Sequence, residues 1–223
     1  LSLSQALGPV EWNSTLTYTI NRNKIKKLLK PTTLKDGLLV EQDMLDLDGV
    51  GNVKTRLFEG GSVGDLYVTA LRTDEHGYID VDYVNNTVSV DGNAGERGDG
   101  WIYAGNSQAK YTMGWRNSFS WKGLTFGFLI NARVGGVCVS MTQALMDSYG
   151  TSKATADARD AGGVMINGYL VPAAQKYYQT VGTGAGSMYV YSATNIRLAE
   201  LSLGYDVCLL YTSPSPRDIS GSR

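Results

Sequence analysis

The clearest pattern in the chain is an alternation of apolar and polar positions from Tyr111 to Arg133. Before Lys122-Gly123 the apolar positions are odd-numbered, with Asn117 as the exception, and after this dipeptide they are even-numbered. Because successive side chains of a strand leave opposite faces of the sheet, the pattern predicts two β-strands, each with one apolar face. Lys122-Gly123 fits the two-residue turn of a hairpin, in which glycine adopts the positive φ that the turn requires.

The predicted turn fixes the register of the hairpin. It places Trp121 opposite Leu124 and Phe119 opposite Phe126, so that both apolar sets share one face. Each strand runs for about ten residues, which exceeds the usual length in soluble sheets and matches a tilted strand that crosses a bilayer. A long hairpin of a soluble β-sandwich, half buried on one face, is the alternative that these residues leave open.

The same alternation predicts which side chains would face lipid if the hairpin lies in a membrane. A charge on the lipid face near mid-bilayer costs about 2–4 kcal/mol, and Arg116 lies in the middle of its strand. We therefore expect one face to point to lipid, carrying Trp115, Phe119, Phe126, Phe128 and Ile130. We expect the other face to point into an aqueous lumen, carrying Arg116, Ser118, Asn131 and Arg133.

Further strands are predicted on both sides of the hairpin. Residues 11–21 alternate again and predict a third long strand, and residues 187–207 predict another. In the latter the apolar parity changes near Ala199-Glu200, which predicts a β-bulge there. The remaining segments predict short strands at 66–72, 78–83 and 87–90, loop-like structure with weak β segments at 31–64, and a long loop at 135–188 with short helical pieces at 141–146 and 153–159.

Composition narrows the class of protein. The 27 glycines and 14 tyrosines suit β-structure with long loops, and a net charge of -1 does not favour a nucleic-acid partner. No apolar run reaches the length of a membrane-spanning helix, although alternating strands can cross a bilayer without such a run. Residues 1–12 lack the features of a signal peptide, and the chain opens on Leu1, which suggests that it begins inside a longer protein.

The sequence offers little for catalysis. It has one histidine, His76, in a turn-like run, and two cysteines of different context, Cys138 and Cys208. Neither a paired-carboxylate arrangement nor a nucleophile motif is present, so an enzyme is the least favoured class. We predict no catalytic, cofactor-binding or metal-binding residues. A soluble β-sandwich that binds carbohydrate through exposed aromatic residues such as Trp101 and Tyr103 is the alternative function.

Several motifs, in order along residues 11–207, resemble the C-terminal part of a SusC/RagA-like TonB-dependent outer-membrane transporter. The most specific is the strand Ile196–Tyr205, which is similar to the Arg-Leu…Leu-x-Leu-Gly-Tyr strand of that family. The others are the Asn21-x-Asn23-Lys24 pattern, the Gly105-Asn106 entry to the hairpin, the hairpin with its Gly-rich corner at Gly135-Gly136, Tyr149–Ser152 and Ala158–Asp160. Ser107 and Ala109 depart from the prolines usual at the entry turn.

The resemblance implies an all-β fold: an open, incomplete fragment of a large antiparallel transmembrane β-barrel with long loops. Barrels of this family are expected to have roughly 22 strands, of which this chain would contribute about seven or eight. It implies nutrient import across the outer membrane of a Gram-negative bacterium, without an enzyme reaction or cofactor. The implied partners are outer-membrane lipid, a SusD-like surface lipoprotein, a glycan or peptide substrate, and TonB through an N-terminal part absent from this chain.

The end of the chain does not continue the pattern. We divide the chain into a partial barrel over residues 1–207 and an unrelated, non-native tail over residues 208–223, which resembles translated adapter sequence. The tail shows no alternation and contains two Ser-Pro pairs, so we predict that it does not pair with the preceding strand.

Overall fold

The computed structural model describes residues 1–28, 32–33, 39–40, 43–47 and 49–206. The tail predicted to be unpaired lies outside these residues. The strands are β1 (Ser2–Leu7), β2 (Val10–Thr19), β3 (Thr32–Thr33), β4 (Leu39–Val40), β5 (Met44–Asp46), β6 (Val53–Phe58), β7 (Asp65–Val68), β8 (Val81–Asp82), β9 (Thr87–Val88), β10 (Ile102–Asn106), β11 (Tyr111–Trp121), β12 (Leu124–Val134), β13 (Val137–Val139), β14 (Val164–Ile166), β15 (Tyr169–Val171), β16 (Val190–Ser192) and β17 (Asn195–Tyr205). The helices are α1 (Met141–Ser148), α2 (Lys153–Asp160), α3 (Ala174–Gly184) and a 3₁₀ turn at Gly186–Tyr189.

The chain forms two compact units. The sheet unit comprises residues 1–20, 111–134 and 195–206, and the insert unit comprises the described residues of 21–110 and 135–194. The fold is therefore mostly β, with several antiparallel sheets, rather than all-β. No helix in the described residues combines the length and hydrophobicity needed to cross a bilayer.

The sheet unit is one antiparallel sheet of five strands in the order β1-β2-β11-β12-β17. The predicted hairpin register is confirmed, since Trp121 pairs with Leu124 and Phe119 with Phe126. Lys122 and Gly123 both have positive φ, at 47° and 84°, as a hairpin turn whose twist matches its strands requires. The expectation of seven or eight wall strands is wrong for the described residues, because the short strands predicted between 66 and 90 belong to the insert unit.

A bulge at Ala199 keeps the last strand in phase with the sheet. Leu129 pairs with Glu200 and Ile130 with Leu198, so Ala199 has no partner on β12. The extra residue reverses the parity, which places Leu198 and Leu201 on the same face although one number is even and the other odd. The bulge predicted from the change of parity is confirmed.

The insert unit has its own hydrophobic core, which the prediction of a long loop over residues 135–188 did not anticipate. Helices α1 and α2 confirm the predicted helical pieces, and each begins at a serine whose hydroxyl accepts a backbone N–H, Ser140 and Ser152. Helix α3 was not predicted. It packs against α1, and its Tyr177 and Val181 are buried in a core shared with Val171 of β15.

A four-stranded sheet, β10-β7-β6-β5, also belongs to the insert unit. Residues 31–64, expected to be loop-like with weak β segments, supply two strands of this sheet, β5 and β6. Strand β6 lies between β5 and β7. Its Arg56 pairs with Asp46 of β5, and its Lys54 pairs with Tyr67 of β7.

Candidate functional site

The five strands of the sheet unit place their apolar side chains on one face of the sheet, here called the apolar face. The pairing registers align the apolar positions of all five strands. Its members are Leu3, Leu7, Val10, Trp12, Leu16, Tyr18, Tyr111, Met113, Trp115, Phe119, Trp121, Leu124, Phe126, Phe128, Ile130, Ala132, Val134, Ile196, Leu198, Leu201, Leu203 and Tyr205. Only Gln5, Ser14 and Asn117 interrupt it.

The apolar face is accessible rather than buried. Trp115 is 43% exposed and Phe126 38% exposed, and Leu203 on β17 reaches 74%. Phe119, Phe128 and Ile130 are partly exposed. The five aromatic and aliphatic side chains predicted to face lipid therefore share one face, and none of them is in a closed core.

Aromatic contacts tie the middle three strands together. Trp115 meets Phe128 edge to face with ring centres 5.6 Å apart, and Phe119 stacks on Trp12 at 6.2 Å and on Phe126 at 6.4 Å. Pairs of this kind stabilise a sheet beyond their buried area. Aromatic residues also lie at both strand ends, with Tyr18 and Tyr111 in contact at one end and Trp121 at the other.

Asn117 is a buried polar residue within the apolar face. It is 1% exposed, and its Oδ1 accepts a hydrogen bond of 3.0 Å from Nε1 of Trp12. Its Nδ2 has no hydrogen-bond partner among the described residues. Its cross-strand neighbours are Ser14 and Phe128. The exception to the alternation is thus the most enclosed side chain of the middle strand, with one end of its amide satisfied and the other not.

The opposite face of the sheet is polar and carries the four residues predicted to face a lumen. Arg116 lies in mid-strand and its Nη2 donates to Glu200 Oε2 at 2.7 Å. Ser118 lies between Asn13 and Gly127. Asn131 and Arg133 line a concavity of about 470 Å³ with Thr17, Thr112 and Arg197. Arg116 and Ser118 do not line it.

The sheet of the insert unit carries a second concave surface, here called the aromatic cavity. It has a volume of about 600 Å³, within the range of small-molecule sites. Its lining combines aromatic, charged and glycine residues, among them Arg56, Phe58, Asp65, Tyr67, Glu96, Arg97, Trp101 and Tyr103. Trp101 and Tyr103, named from the sequence as candidate carbohydrate contacts, both lie here; Arg56 and Tyr67 were missed because no local pattern marks them.

A buried arginine organises the floor of the aromatic cavity. The side chain of Arg56 is 3% exposed, and its Nε donates to Asp46 Oδ1 at 2.7 Å while its Nη2 donates to Asp99 Oδ2 at 2.5 Å. The hydrogen bond from Arg56 lowers the pKa of Asp46. Burial opposes a low pKa at Asp99, but the hydrogen bond and charge of Arg56 outweigh it and the pKa is lowered there too.

No protein-family model matches this chain. No curated protein matches it either. Within the described residues, no cluster of histidine, cysteine and carboxylate side chains is arranged to hold a metal ion. The sheet and the aromatic cavity are therefore interpreted from their own chemistry.

The hydrogen bond between Trp12 and Asn117 predicts a coupling that a double-mutant cycle can measure. In Trp12→Phe the side-chain amide of Asn117 loses the hydrogen bond from the indole N–H. Adding Asn117→Leu to this variant should therefore raise the free energy of unfolding by about 1–3 kcal/mol. When Trp12 is present, the same substitution leaves the indole N–H without its acceptor, so the gain in the free energy of unfolding should be smaller by about 1 kcal/mol. Urea unfolding of the four proteins in detergent gives both values.

Asn131→Leu, on the polar face, serves as the control and should add to Trp12→Phe without coupling. Equal effects of Asn117→Leu in the two backgrounds would show that the hydrogen bond contributes nothing.

The Arg56 cluster predicts acid sensitivity of the insert unit. A carboxyl whose pKa is lowered by folding binds fewer protons in the folded chain, so its stabilising effect is complete above the unfolded pKa of about 3.9 and is lost as pH falls through the folded value. We expect the thermal midpoint, followed by near-ultraviolet circular dichroism, to fall below pH 4. Asp99→Asn should lower the midpoint at neutral pH and flatten the acid decline.

Asp80→Asn is the matched control, because the Arg72–Asp80 pair is 3.4 Å long and the carboxylate is 53% exposed. It should leave the profile unchanged. If Asp99→Asn and Asp80→Asn change the pH dependence of the thermal midpoint equally, the ion pairs of Arg56 have no special role in acid stability.

Proposed function

We propose that the sheet unit is part of the lipid-facing wall of an outer-membrane barrel, and that the chain belongs to a SusC/RagA-like TonB-dependent transporter. Such a protein imports glycans or other large nutrients and catalyses no reaction. The observation that carries the proposal is the accessible apolar face across five strands, backed by a polar face. A soluble protein rarely exposes a continuous apolar patch of this kind.

The dimensions of the sheet fit a bilayer. Strands β11 and β12 each have 11 residues. At about 3.3 Å per residue and a tilt near 45°, such a strand spans roughly 25 Å, the height of the apolar band of outer-membrane barrels. In such a barrel, Tyr18 and Tyr111 at one strand end and Trp121 at the other would lie at the levels of the two aromatic girdles.

The charges of the sheet support the same orientation. Arg116 and Glu200 lie in mid-strand on the polar face and pair with each other. The reverse orientation would place both in hydrocarbon, at about 2–4 kcal/mol for the arginine alone. The four residues predicted from the sequence, Arg116, Ser118, Asn131 and Arg133, would then face the lumen.

The connections between strands support an outer-membrane arrangement. The turns at Gly8-Pro9 and Lys122-Gly123 lie at the same end of the sheet, since Val10 pairs with Trp121. At the other end, residues 20–110 join β2 to β11, and residues 135–194 join β12 to β17. Short turns on the periplasmic side and long segments on the cell surface are typical of these barrels.

The resemblance of Ile196–Tyr205 and the hairpin to the SusC/RagA-like family supplies the remaining parts of the proposal. The partners would be outer-membrane lipid, a SusD-like surface lipoprotein, TonB through another part of the protein, and a glycan or peptide substrate. A soluble sandwich is less well supported, because it would bury Trp115, Phe126 and Phe128 against a sheet about 10 Å away. Trp115 and Phe126 retain 43% and 38% of their accessible surface.

Arginine substitutions at two depths test the proposal. Phe128→Arg places a charge at the middle of the apolar face, and Leu124→Arg places one beside the turn. In the complete barrel of which this chain would be part, inserted in phospholipid vesicles, we expect Phe128→Arg to lower the free energy of unfolding by about 2–4 kcal/mol and Leu124→Arg by about 0–1 kcal/mol, because the cost depends on depth. Unfolding in denaturant, followed by tryptophan fluorescence, gives both values.

Ser118→Arg, on the polar face opposite Asn117 and Phe119, controls for the loss of strand propensity and should have a small effect. Equal costs for Phe128→Arg and Leu124→Arg would contradict the proposal.

A further inference from the structure

The concavity of about 470 Å³ on the polar face of the sheet unit is here called the polar concavity. Cross-strand pairing arranges its polar positions in two neighbouring rows that run over β2, β11, β12 and β17. The first row is Thr19, Thr112, Arg133 and Asn195, and the second row is Thr17, Gly114, Asn131 and Arg197. Sites on paired strands hold their side chains more precisely than sites on free loops, so the polar concavity is built on a rigid support.

The polar concavity is positively charged. Arg133 and Arg197 line it, and none of the described residues that line it is acidic. Arg133 pairs with Asn195 and Asn131 pairs with Arg197, so the two arginines are diagonal neighbours on β12 and β17. Diagonal neighbours lie about 7–8 Å apart, which is within the reach of long side chains. Two like charges are therefore held close together, and an anion bound beside them would offset their repulsion.

The next row toward the hairpin turn shows how the same face neutralises an arginine. Arg116 in that row donates to the carboxylate of Glu200 at 2.7 Å. By contrast, Arg197 forms no ion pair with any of the described carboxylates. A guanidinium carries five N–H donors and no acceptor, so the donors of Arg197 must be satisfied by water or by a ligand. The nearest carboxylate on this face is already bound, which leaves Arg197 available to an anion.

Gly114 opens the floor of the polar concavity. A Cβ at this position would lie 2.7 Å from Oγ1 of Thr17 and 3.2 Å from Oδ1 of Asn131, so a larger residue would push both side chains aside. The hydroxyl of Thr17 donates to the carbonyl oxygen of Gly114 at 3.2 Å, which holds the threonine against the floor. A glycine inside a strand is typical of a place where a ligand or a second backbone approaches closely.

The uncharged side chains add hydrogen-bond donors to the two arginines. The hydroxyl of Thr112 and the amide of Asn131 line the same concavity, and both groups can donate to an oxyanion. The fork of an arginine matches a pair of oxygens on a carboxylate or a phosphate. A carboxylate has only one such pair, whereas a tetrahedral phosphate can accept two hydrogen bonds from Arg197 and still present oxygens to Arg133 and Thr112. The arrangement therefore favours phosphate over carboxylate.

We propose that the polar concavity binds a doubly charged phosphate group, which lies over Gly114 and accepts hydrogen bonds from Arg197 beside the charge of Arg133. A cation would meet two positive charges there and no described carboxylate. The phosphate is either the inorganic ion or the ester group of a larger ligand. The inference goes beyond the proposed function and does not depend on it, because an aqueous anion reaches the polar face whether or not the apolar face meets lipid.

Calorimetric titration of the full chain in an uncharged detergent tests the proposal, at constant ionic strength and at about pH 8, where a phosphate group is doubly charged. The probes are inorganic phosphate, glycerol phosphate and acetate. We expect at least one of the two phosphates to bind about tenfold more tightly than acetate. Binding of inorganic phosphate alone would identify the free ion as the ligand, and binding of glycerol phosphate would show that the site accepts an ester.

Three substitutions separate charge, hydrogen-bond geometry and space. Arg197→Gln should weaken phosphate binding by about tenfold or more, because it removes both the charge and the fork. Arg197→Lys keeps the charge but loses the fork, so it should weaken binding by about two- to fivefold. Gly114→Ala keeps both arginines and fills the floor, and we expect a loss of about threefold or more.

The chain offers a matched control for each kind of change. Lys122→Gln removes one positive charge at the turn, outside the polar concavity. Gly127→Ala adds a Cβ that would lie 2.6 Å from Oγ of Ser202, a contact like that of Gly114→Ala but also outside it. Both should leave the affinity unchanged, and circular dichroism should show that all variants fold.

Three results would overturn the proposal: no binding of either phosphate, binding of acetate as tight as that of phosphate, or equal losses in Arg197→Gln and Lys122→Gln. Equal losses in the last comparison would show that phosphate responds only to the net charge of the chain. None of these results bears on the depth dependence of the arginine substitutions in vesicles, which tests the membrane proposal separately.

Discussion

The sheet unit depends on one constraint, that every strand must place its apolar residues on the same face. A slip of one residue in any pairing would exchange the two faces of that strand. The turn at Lys122-Gly123 fixes the first pairing, because both residues adopt the positive φ that a two-residue hairpin requires. On β17 the extra residue Ala199 corrects the phase, so that Arg197 remains on the polar face and Leu198 on the apolar face.

The two units differ in whether their apolar side chains are buried within the chain. The insert unit buries Tyr177, Val181 and Tyr189 in a core of its own, and the Tyr189 hydroxyl there donates to Asp147 at 3.0 Å. In the sheet unit the most buried side chain is Asn117, while Trp115 and Leu203 remain accessible. An apolar medium outside the chain would cover these accessible side chains, and this is the physical basis of the proposal that the sheet unit lies in a membrane.

The sequence predicted those parts of the fold that follow from a period of two. The hairpin, its register and the bulge at Ala199 are all confirmed because each depends only on the parity of neighbouring residues. Helix α3 was missed because it begins after Ala173, which has a φ of 72° and makes no side-chain cap, so the usual start signal is absent. The aromatic cavity was only partly predicted: Trp101 and Tyr103 stood out by type, but the ion pair of Arg56 with Asp99 joins residues far apart in the chain.

Fluorophores attached to the two faces of β11 and β12 test the central claim most directly. In a protein with Cys138→Ser and Cys208→Ser, Phe126→Cys carries the label on the apolar face, and Ser118→Cys carries it on the polar face near the same level. With the protein in vesicles, we predict that a lipid-attached nitroxide quenches only the label at position 126 and that aqueous iodide quenches only the label at position 118. Quenching of both labels by iodide alone, or the reverse pattern, would contradict the account.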